Sequence, residues 1–154
     1  MIGSLALVGS GEYLPAMSEF ERSLIDDGVK NGKQPVYIQI PTAAGQESEA
    51  RLKYWQDLGQ RAADSIGVKS IFLPIFNRDD ANNQEFADLI NNAALIYLSG
   101  GDPHYLAKTI SNTKLWTAIS ENWQTGSSLA GCSAGAMVLS SHIPNFRVSK
   151  ADAT

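Results

Sequence analysis

A glycine-flanked serine is the feature of this sequence that could carry out covalent chemistry. Gly131, Ser133 and Gly135 form the pattern G-x-S-x-G, between a short predicted strand at 127–130 and residues 134–140, which are rich in helix formers. A serine at a sharp strand-to-helix turn exposes its hydroxyl at the sheet edge, where the N–H groups of the helix can meet a developing oxyanion. The pattern indicates a nucleophile elbow; the alternative is a turn of small residues without chemistry.

A second glycine loop, Gly9-Ser10-Gly11, follows the first apolar run. The dinucleotide fingerprint G-x-G-x-x-G would require glycine where this chain has Leu14. The second predicted strand also ends in Ile40-Pro41 instead of an acidic residue that could bind a ribose. We therefore interpret this loop as a tight turn beneath a substrate pocket.

A third loop reads Gly100-Gly101-Asp102-Pro103. Asp102 suits the N-cap of a helix and Pro103 its first position. Glycine amides beside the elbow could also supply a second oxyanion donor. For the Asp102 side chain, capping is favoured over substrate contact.

Candidate bases are few, because the sequence contains 2 histidines. His142 is expected at the far end of the helix that leaves the elbow, about 13 Å away, and so points away from the serine. His104 is expected at the same sheet edge as Ser133, in the first turn of a helix, and stays a candidate for substrate binding or catalysis. The histidines do not have metal-ligand spacing. Cys132 precedes the apex of the elbow and is expected to be a small buried core residue.

Alternating strands and helices must position these loops. Apolar runs predict strands and helical spacing predicts helices, with the last helical region broken near 111–112. The strands are predicted at 5–8, 36–40, 70–75, 95–98 and 127–130, and the helices at 17–28, 47–66, 84–91, 103–123 and 134–140.

This alternation predicts an α/β fold of three layers, with a mostly parallel sheet covered by helices on both faces. The glycine loops after strands one, four and five then share the carboxyl edge of the sheet. The first strand is expected to be central, and the pairs Glu47–Arg51 and Glu49–Lys53 to stabilise the second helix. One more short strand is predicted between His142 and Thr154.

Composition restricts the class of protein. The 154 residues are expected to form a single α/β domain, residues 1–154. A net charge of −4 argues against nucleic acid or an anionic membrane as the main partner. The single cysteine, Cys132, suits a reducing compartment, and the N-terminal apolar run is too short for a membrane span. The cytoplasm is the expected location.

With its glycine loops placed, the chain resembles the cyanophycinase/dipeptidase E family of serine peptidases. The resemblance follows four stretches in order along the chain. They are Gly9-Ser10-Gly11-Glu12, Pro41-Thr42-Ala43-Ala44, Gly100-Gly101-Asp102 and Gly131-Cys132-Ser133-Ala134-Gly135-Ala136. The resemblance implies a flavodoxin-like fold of the class I glutamine amidotransferase type.

The resemblance also implies an activity. Ser133 would be the nucleophile, and the backbone N–H groups of Gly101 and Ala134 would form the oxyanion hole. Gly100, Asp102 and His104 are the candidates for substrate binding. The implied substrates are small aspartyl peptides, either α-aspartyl dipeptides or β-aspartyl-arginine units, with no metal or organic cofactor. The oligomeric state stays open between a monomer and a homodimer.

The chain departs from the family in one respect. Family members carry the catalytic histidine a few tens of residues after the serine, and no residue here matches it. We therefore expect a C-terminally truncated chain, inactive or poorly active as given. Two alternatives stay open: an α/β-hydrolase esterase, whose acid and histidine would have no room after the serine, and a non-catalytic binding module of the same fold.

Overall fold

The described chain is built from parallel strands and the helices that connect them. The structure is a computed structural model, and it describes residues 1–145. Within this range the strands are β1 (Leu5–Val8), β2 (Gln34–Ile40), β3 (Lys69–Phe72), β4 (Ala93–Leu98) and β5 (Ser128–Cys132). The α-helices are α1 (Ser18–Lys30), α2 (Glu49–Ser65), α3 (Arg78–Ala81), α4 (Gln84–Leu89), α5 (Pro103–Ile110), α6 (Lys114–Gln124) and α7 (Ala134–Val138).

The sheet has the order β1-β5-β4-β2-β3, and each neighbouring pair is parallel. All carboxyl ends of the strands therefore lie at one edge. The loops that follow β1, β4 and β5 are consequently neighbours, although they are far apart in the sequence. This arrangement confirms the predicted three-layer α/β fold.

Side chains that alternate along the strands divide the core between the two faces of the sheet. Tyr37, Leu95 and Tyr97 belong to a cluster with residues of α1 and α2. Ile96 and Leu98 belong to the opposite cluster, which includes residues of α4 to α7. The central strand β4 is buried along its whole length.

The position of β1 differs from the expectation. Among the described residues β1 is an edge strand, paired on one side with β5. Ala6 is buried, but Leu5 and Leu7 are 48% and 54% exposed. An apolar run alone does not distinguish a central strand from an edge strand, so the predicted central position was wrong for this part of the chain.

Several element boundaries also differ. β3 ends at Phe72, and the short helix α3 follows where no helix was predicted. Helix α2 begins at Glu49, after a Ser48 cap, so Glu47 precedes the helix. The predicted pair of Arg51 with Glu47 is present at 3.4 Å, whereas Lys53 pairs with Asp57 and not with Glu49.

The predicted break between α5 and α6 is confirmed at 111–113. The strand predicted between His142 and Thr154 falls largely outside the described residues. None of the helices among residues 1–145 is long and apolar enough to cross a membrane.

Candidate active site

Ser133 occupies a strained turn between β5 and α7. Its backbone has φ 52° and ψ −113°, a conformation that residues with a side chain rarely adopt. Holding a residue in such a conformation costs on the order of 1–3 kcal/mol of folding free energy, so the surrounding structure must enforce the conformation. Here the Ser133 N–H donates to Val8 O at 2.8 Å, which continues the β1–β5 pairing into the turn. The strand–turn–helix context expected of an elbow is therefore present.

The two glycines of the pattern allow the chain to fold back tightly. A Cβ on Gly131 would lie 2.4 Å from the carbonyl group of Gly135. A Cβ on Gly135 would lie 2.0 Å from Leu98 O on the neighbouring strand β4. Since real Cβ atoms do not approach that closely, α7 can begin against the end of β4 only with glycine at these positions.

The side chain of Ser133 lies at the surface, next to the loop after β4. Ser133 is partly exposed, whereas its neighbours Cys132 and Ala134 are buried. A Cβ placed on Gly100 would lie 3.3 Å from Ser133 Cβ and 2.3 Å from Glu12 Oε1. Gly100 thus leaves a small space bordered by the serine and by a carboxylate from the loop after β1.

The turn after β2 supports the neighbouring residue, Gly101. Gly101 has φ 147°, and a Cβ there would lie 2.3 Å from Ala43 O. The same carbonyl accepts a hydrogen bond of 2.8 Å from the Asp102 N–H. The Thr42 hydroxyl in turn donates to Ile75 O at 2.7 Å. The motif at 41–44 therefore positions the glycine loop, a function that its sequence alone did not indicate.

Asp102 caps helix α5, as the sequence predicts. Its Oδ1 accepts hydrogen bonds from the backbone N–H groups of His104, at 2.9 Å, and Tyr105, at 3.0 Å. Pro103 occupies the first helical position. The carboxylate thus fixes the start of α5 directly after the glycine loop. A contact of Asp102 with substrate stays a prediction.

The oxyanion donors predicted at Gly101 and Ala134 lie in the loop after β4 and at the start of α7. Ala134 is the first residue of α7, and N–H groups at that position have no acceptor within their own helix. The Ser133 N–H is already bonded to Val8 O and is not available. The roles of Gly101 and Ala134 stay predictions.

Neither histidine contacts the serine. His104 is exposed in the first turn of α5, and His142 is exposed after the end of α7. No hydrogen bond joins either imidazole to Ser133 within the described residues. Helix α7 ends at Val138, so the expectation that His142 terminates this helix was wrong.

A cluster of buried tyrosines beneath the site was not predicted from the sequence. Tyr13, Tyr37 and Tyr97 are 3%, 0% and 1% exposed, and the ring centroids of Tyr13 and Tyr97 lie 5.3 Å apart. Burial raises the pKa of all three hydroxyls well above the ordinary value. The alternation of side chains along β2 and β4 directs Tyr37 and Tyr97 to the same face of the sheet, and this pattern could have predicted the cluster.

Glu21 extends this cluster from helix α1. It is 1% exposed, and burial raises the pKa of its carboxyl to about 7, an effect that the neighbouring Tyr37 hydroxyl partly opposes. Glu21 Oε1 and the hydroxyls of Tyr37 and Tyr97 have no hydrogen-bond partner of good geometry among the described residues. Burial of this kind favours the protonated form of the carboxyl.

Cys132 is buried, as predicted, and it also connects the elbow to its surroundings. Burial, followed by the negative charge of Glu12, raises the pKa of the thiol to about 12. The sulfur interacts with both the side chain and the backbone N–H of Glu12, and with Tyr97. A thiol in this environment stays protonated and is a poor nucleophile.

Other concave surfaces lie away from the serine. A cavity of about 500 Å³ lies between α4 and α6, lined in part by Asn91, Thr113 and Glu121. None of the residues predicted for the site lines it. Among residues 1–145, no group of three or more histidine, cysteine, aspartate or glutamate side chains is arranged to hold a metal ion.

Comparison with known proteins gives the chain a family. Its sequence matches the profile of Peptidase family S51 over residues 5–152. No curated protein matches it significantly. The crystal structure of a peptidase from an acI-B1 Actinobacterium matches with 66% identity and a TM-score of 0.94, over 97% of this chain and 61% of that one.

A proposed peptidase E from Listeria monocytogenes EGD-e matches with 25% identity and a TM-score of 0.64. That match covers 89% of this chain and again 61% of the other. The chain therefore spans somewhat less than two thirds of the length of either relative. The profile match extends over nearly the whole sequence, and the chain belongs to Peptidase family S51.

Proposed function

We propose that the protein is a serine peptidase of the cyanophycinase/dipeptidase E type, which cleaves small aspartyl peptides through an acyl-enzyme on Ser133. The observation that carries the proposal is the strained, partly exposed Ser133 beside the Gly100–Gly101 loop in a chain of a peptidase family. Strain of this kind persists where function requires one fixed side-chain direction.

The reaction has two steps. Ser133 Oγ attacks the carbonyl carbon of the aspartyl residue, and a base takes the hydroxyl proton. The resulting oxyanion is stabilised by the N–H groups of Gly101 and Ala134, and its collapse expels the amine, which receives that proton. Water then attacks the ester on Ser133, releasing the aspartyl acid and restoring the hydroxyl.

The base is the part of this mechanism that residues 1–145 do not provide. His104 and His142 are exposed and not bonded to Ser133. Without a base the serine stays a weakly nucleophilic alcohol, since activation depends on a neighbouring proton acceptor. We expect the 154-residue chain alone to turn over aspartyl peptides poorly or not at all.

A chimera supplies the test. Residues 1–145 are joined to the part of the 66% identical Actinobacterium peptidase that this chain does not span; the TM-score of 0.94 supports compatible folds. Hydrolysis of an aspartyl dipeptide is measured, together with labelling by a serine-directed phosphonate. We expect both in the chimera, and a loss on the order of a thousandfold or more in Ser133→Ala. Ser23→Ala is the matched control, because this exposed hydroxyl bonds only within its own helix.

Each alternative has its own outcome. Hydrolysis of a simple acyl ester but of no aspartyl peptide would favour the esterase. A folded chimera that is neither active nor labelled would favour the binding module. Activity that survives in Ser133→Ala would reject the elbow as the catalytic site.

A further inference from the structure

Glu12 stands beside Ser133, and the reaction described above does not use it. It belongs to the loop between β1 and the first helical turn and is half-buried. A Cβ atom placed on Gly100 would lie 2.3 Å from Glu12 Oε1 and 3.3 Å from Ser133 Cβ. The carboxylate and the serine therefore border one small space at the carboxyl edge of the sheet.

This carboxylate also interacts with the elbow. Cys132, the residue before Ser133, interacts through its sulfur with both the side chain and the backbone N–H of Glu12. Because the thiol keeps its proton, it can donate to the carboxylate without bringing any charge. Displacement of Glu12 would therefore disturb the residue next to the nucleophile.

No cation of the protein neutralises Glu12 in the described part of the chain. The ion pairs among residues 1–145 join Arg22 to Asp26, Arg51 to Glu47 and Lys53 to Asp57. A carboxylate that is half-removed from water and lacks a cationic partner favours a positively charged ligand group.

We propose that Glu12 binds the free α-ammonium group of the substrate's N-terminal aspartyl residue, and so restricts cleavage to the bond after the first residue. This inference rests on the proposed function. In an N-terminal residue one carbon separates the ammonium nitrogen from the carbonyl carbon, so these two atoms lie about 2.5 Å apart. A group that binds the ammonium must therefore lie next to the nucleophile, as Glu12 does.

The same contact discriminates against longer chains. An internal or acylated residue presents a neutral amide instead of an ammonium group, with a carbonyl oxygen that the carboxylate repels. The site would then lose a charge-assisted hydrogen bond and leave Glu12 unpaired. The preference corresponds to roughly a ten- to hundredfold difference in affinity.

Three boronic acids test the proposal on the chain itself. They are the boronic acid analogue of aspartate with a free amine, its N-acetyl derivative, and the derivative with hydroxyl in place of the amine. Affinity is measured by calorimetry, and the adduct on Ser133 by the boron NMR signal of a tetrahedral boronate. We expect the amine to bind at least tenfold more tightly than either neutral ligand.

Variants separate recognition of the ammonium from a structural effect. In Glu12→Gln the preference for the amine should fall to near onefold, whereas a merely loosened site would weaken all three ligands together. Glu121→Gln removes one charge from an exposed position on α6 and should keep the preference. If Glu12→Gln does not fold, the comparison of the three ligands in the unaltered chain still tests whether the site prefers the free amine.

Two results would overturn the proposal. Equal affinity of the amine and the neutral ligands, or an unchanged preference in Glu12→Gln, contradicts the role of Glu12 and leaves the Ser133 chemistry standing. Absence of a tetrahedral boronate with every ligand, both in this chain and in the chimera that supplies a base, contradicts the proposed function, and the role of Glu12 falls with it.

Discussion

Replacing Ser133 by glycine should make the protein more stable while removing its reactive group. Ser133 has φ 52° and ψ −113°, the mirror image of an extended conformation, which glycine adopts as readily as its mirror. The proper reference is Ser133→Ala, since both variants lack the hydroxyl and only alanine keeps the Cβ. Ser133 makes no capping hydrogen bond with its side chain that either variant would lose.

The size of the effect follows from two opposing contributions. Relief of the backbone strain contributes about 1–3 kcal/mol, and the greater entropy of glycine in the unfolded chain costs about 0.5–1 kcal/mol. Ser133→Gly should therefore exceed Ser133→Ala in the free energy of unfolding by about 1 kcal/mol. With a typical urea dependence, this corresponds to a midpoint higher by roughly 0.5 M.

Urea denaturation followed by circular dichroism measures the difference. The control is the pair Ser23→Gly and Ser23→Ala in the middle of α1, where the order should be reversed by about 1 kcal/mol because glycine weakens a helix. If Ser133→Gly is no more stable than Ser133→Ala, the turn is not strained and the elbow argument loses its physical basis.

Three further predictions concern neighbouring residues. Gly135→Ala should destabilise the fold by about 1–3 kcal/mol in urea denaturation, because its Cβ would meet Leu98 O, whereas Gly9→Ala, with no atom within 4 Å, should be nearly neutral; equal effects would contradict the packing argument. The raised pKa of Glu21, about 7, favours its protonated form in the folded state, so its contribution to stability is complete below about pH 4.5 and is lost as the pH rises through 7. Unfolding measured against pH should show this decline in the parent protein and not in Glu21→Gln; identical profiles would refute it. The Cys132 thiol, buried and with a pKa of about 12, should react with a thiol reagent at pH 7 only after denaturation, so rapid labelling of the native protein would contradict its placement.

The elements that local patterns determine were predictable from the sequence. The apolar run at 95–98 corresponds to the fully buried β4, and Asp102-Pro103 to the cap and first residue of α5. Gly131 and Gly135 signalled a tight turn, because close backbone approach excludes side chains at these positions.

What the sequence did not reveal depends on contacts between distant segments. Glu12 is one residue of a weak motif until β1 pairs with β5 and brings it to Cys132 and Gly100. The edge position of β1 likewise depends on strand order, which an apolar run does not encode. The sequence of α1, with its many charged residues, did not predict that Glu21 is buried. The residues that bury it lie on β2 and β4.

Covalent labelling of Ser133 tests the central claim most directly. The chimera of residues 1–145 with the Actinobacterium peptidase is treated with a serine-directed phosphonate, and the modified residue is located by mass spectrometry of its peptides. The account predicts one adduct per chain, on Ser133. The adduct should form at the same rate as the activity is lost. A modified serine elsewhere, or a folded and unmodified protein, would contradict it.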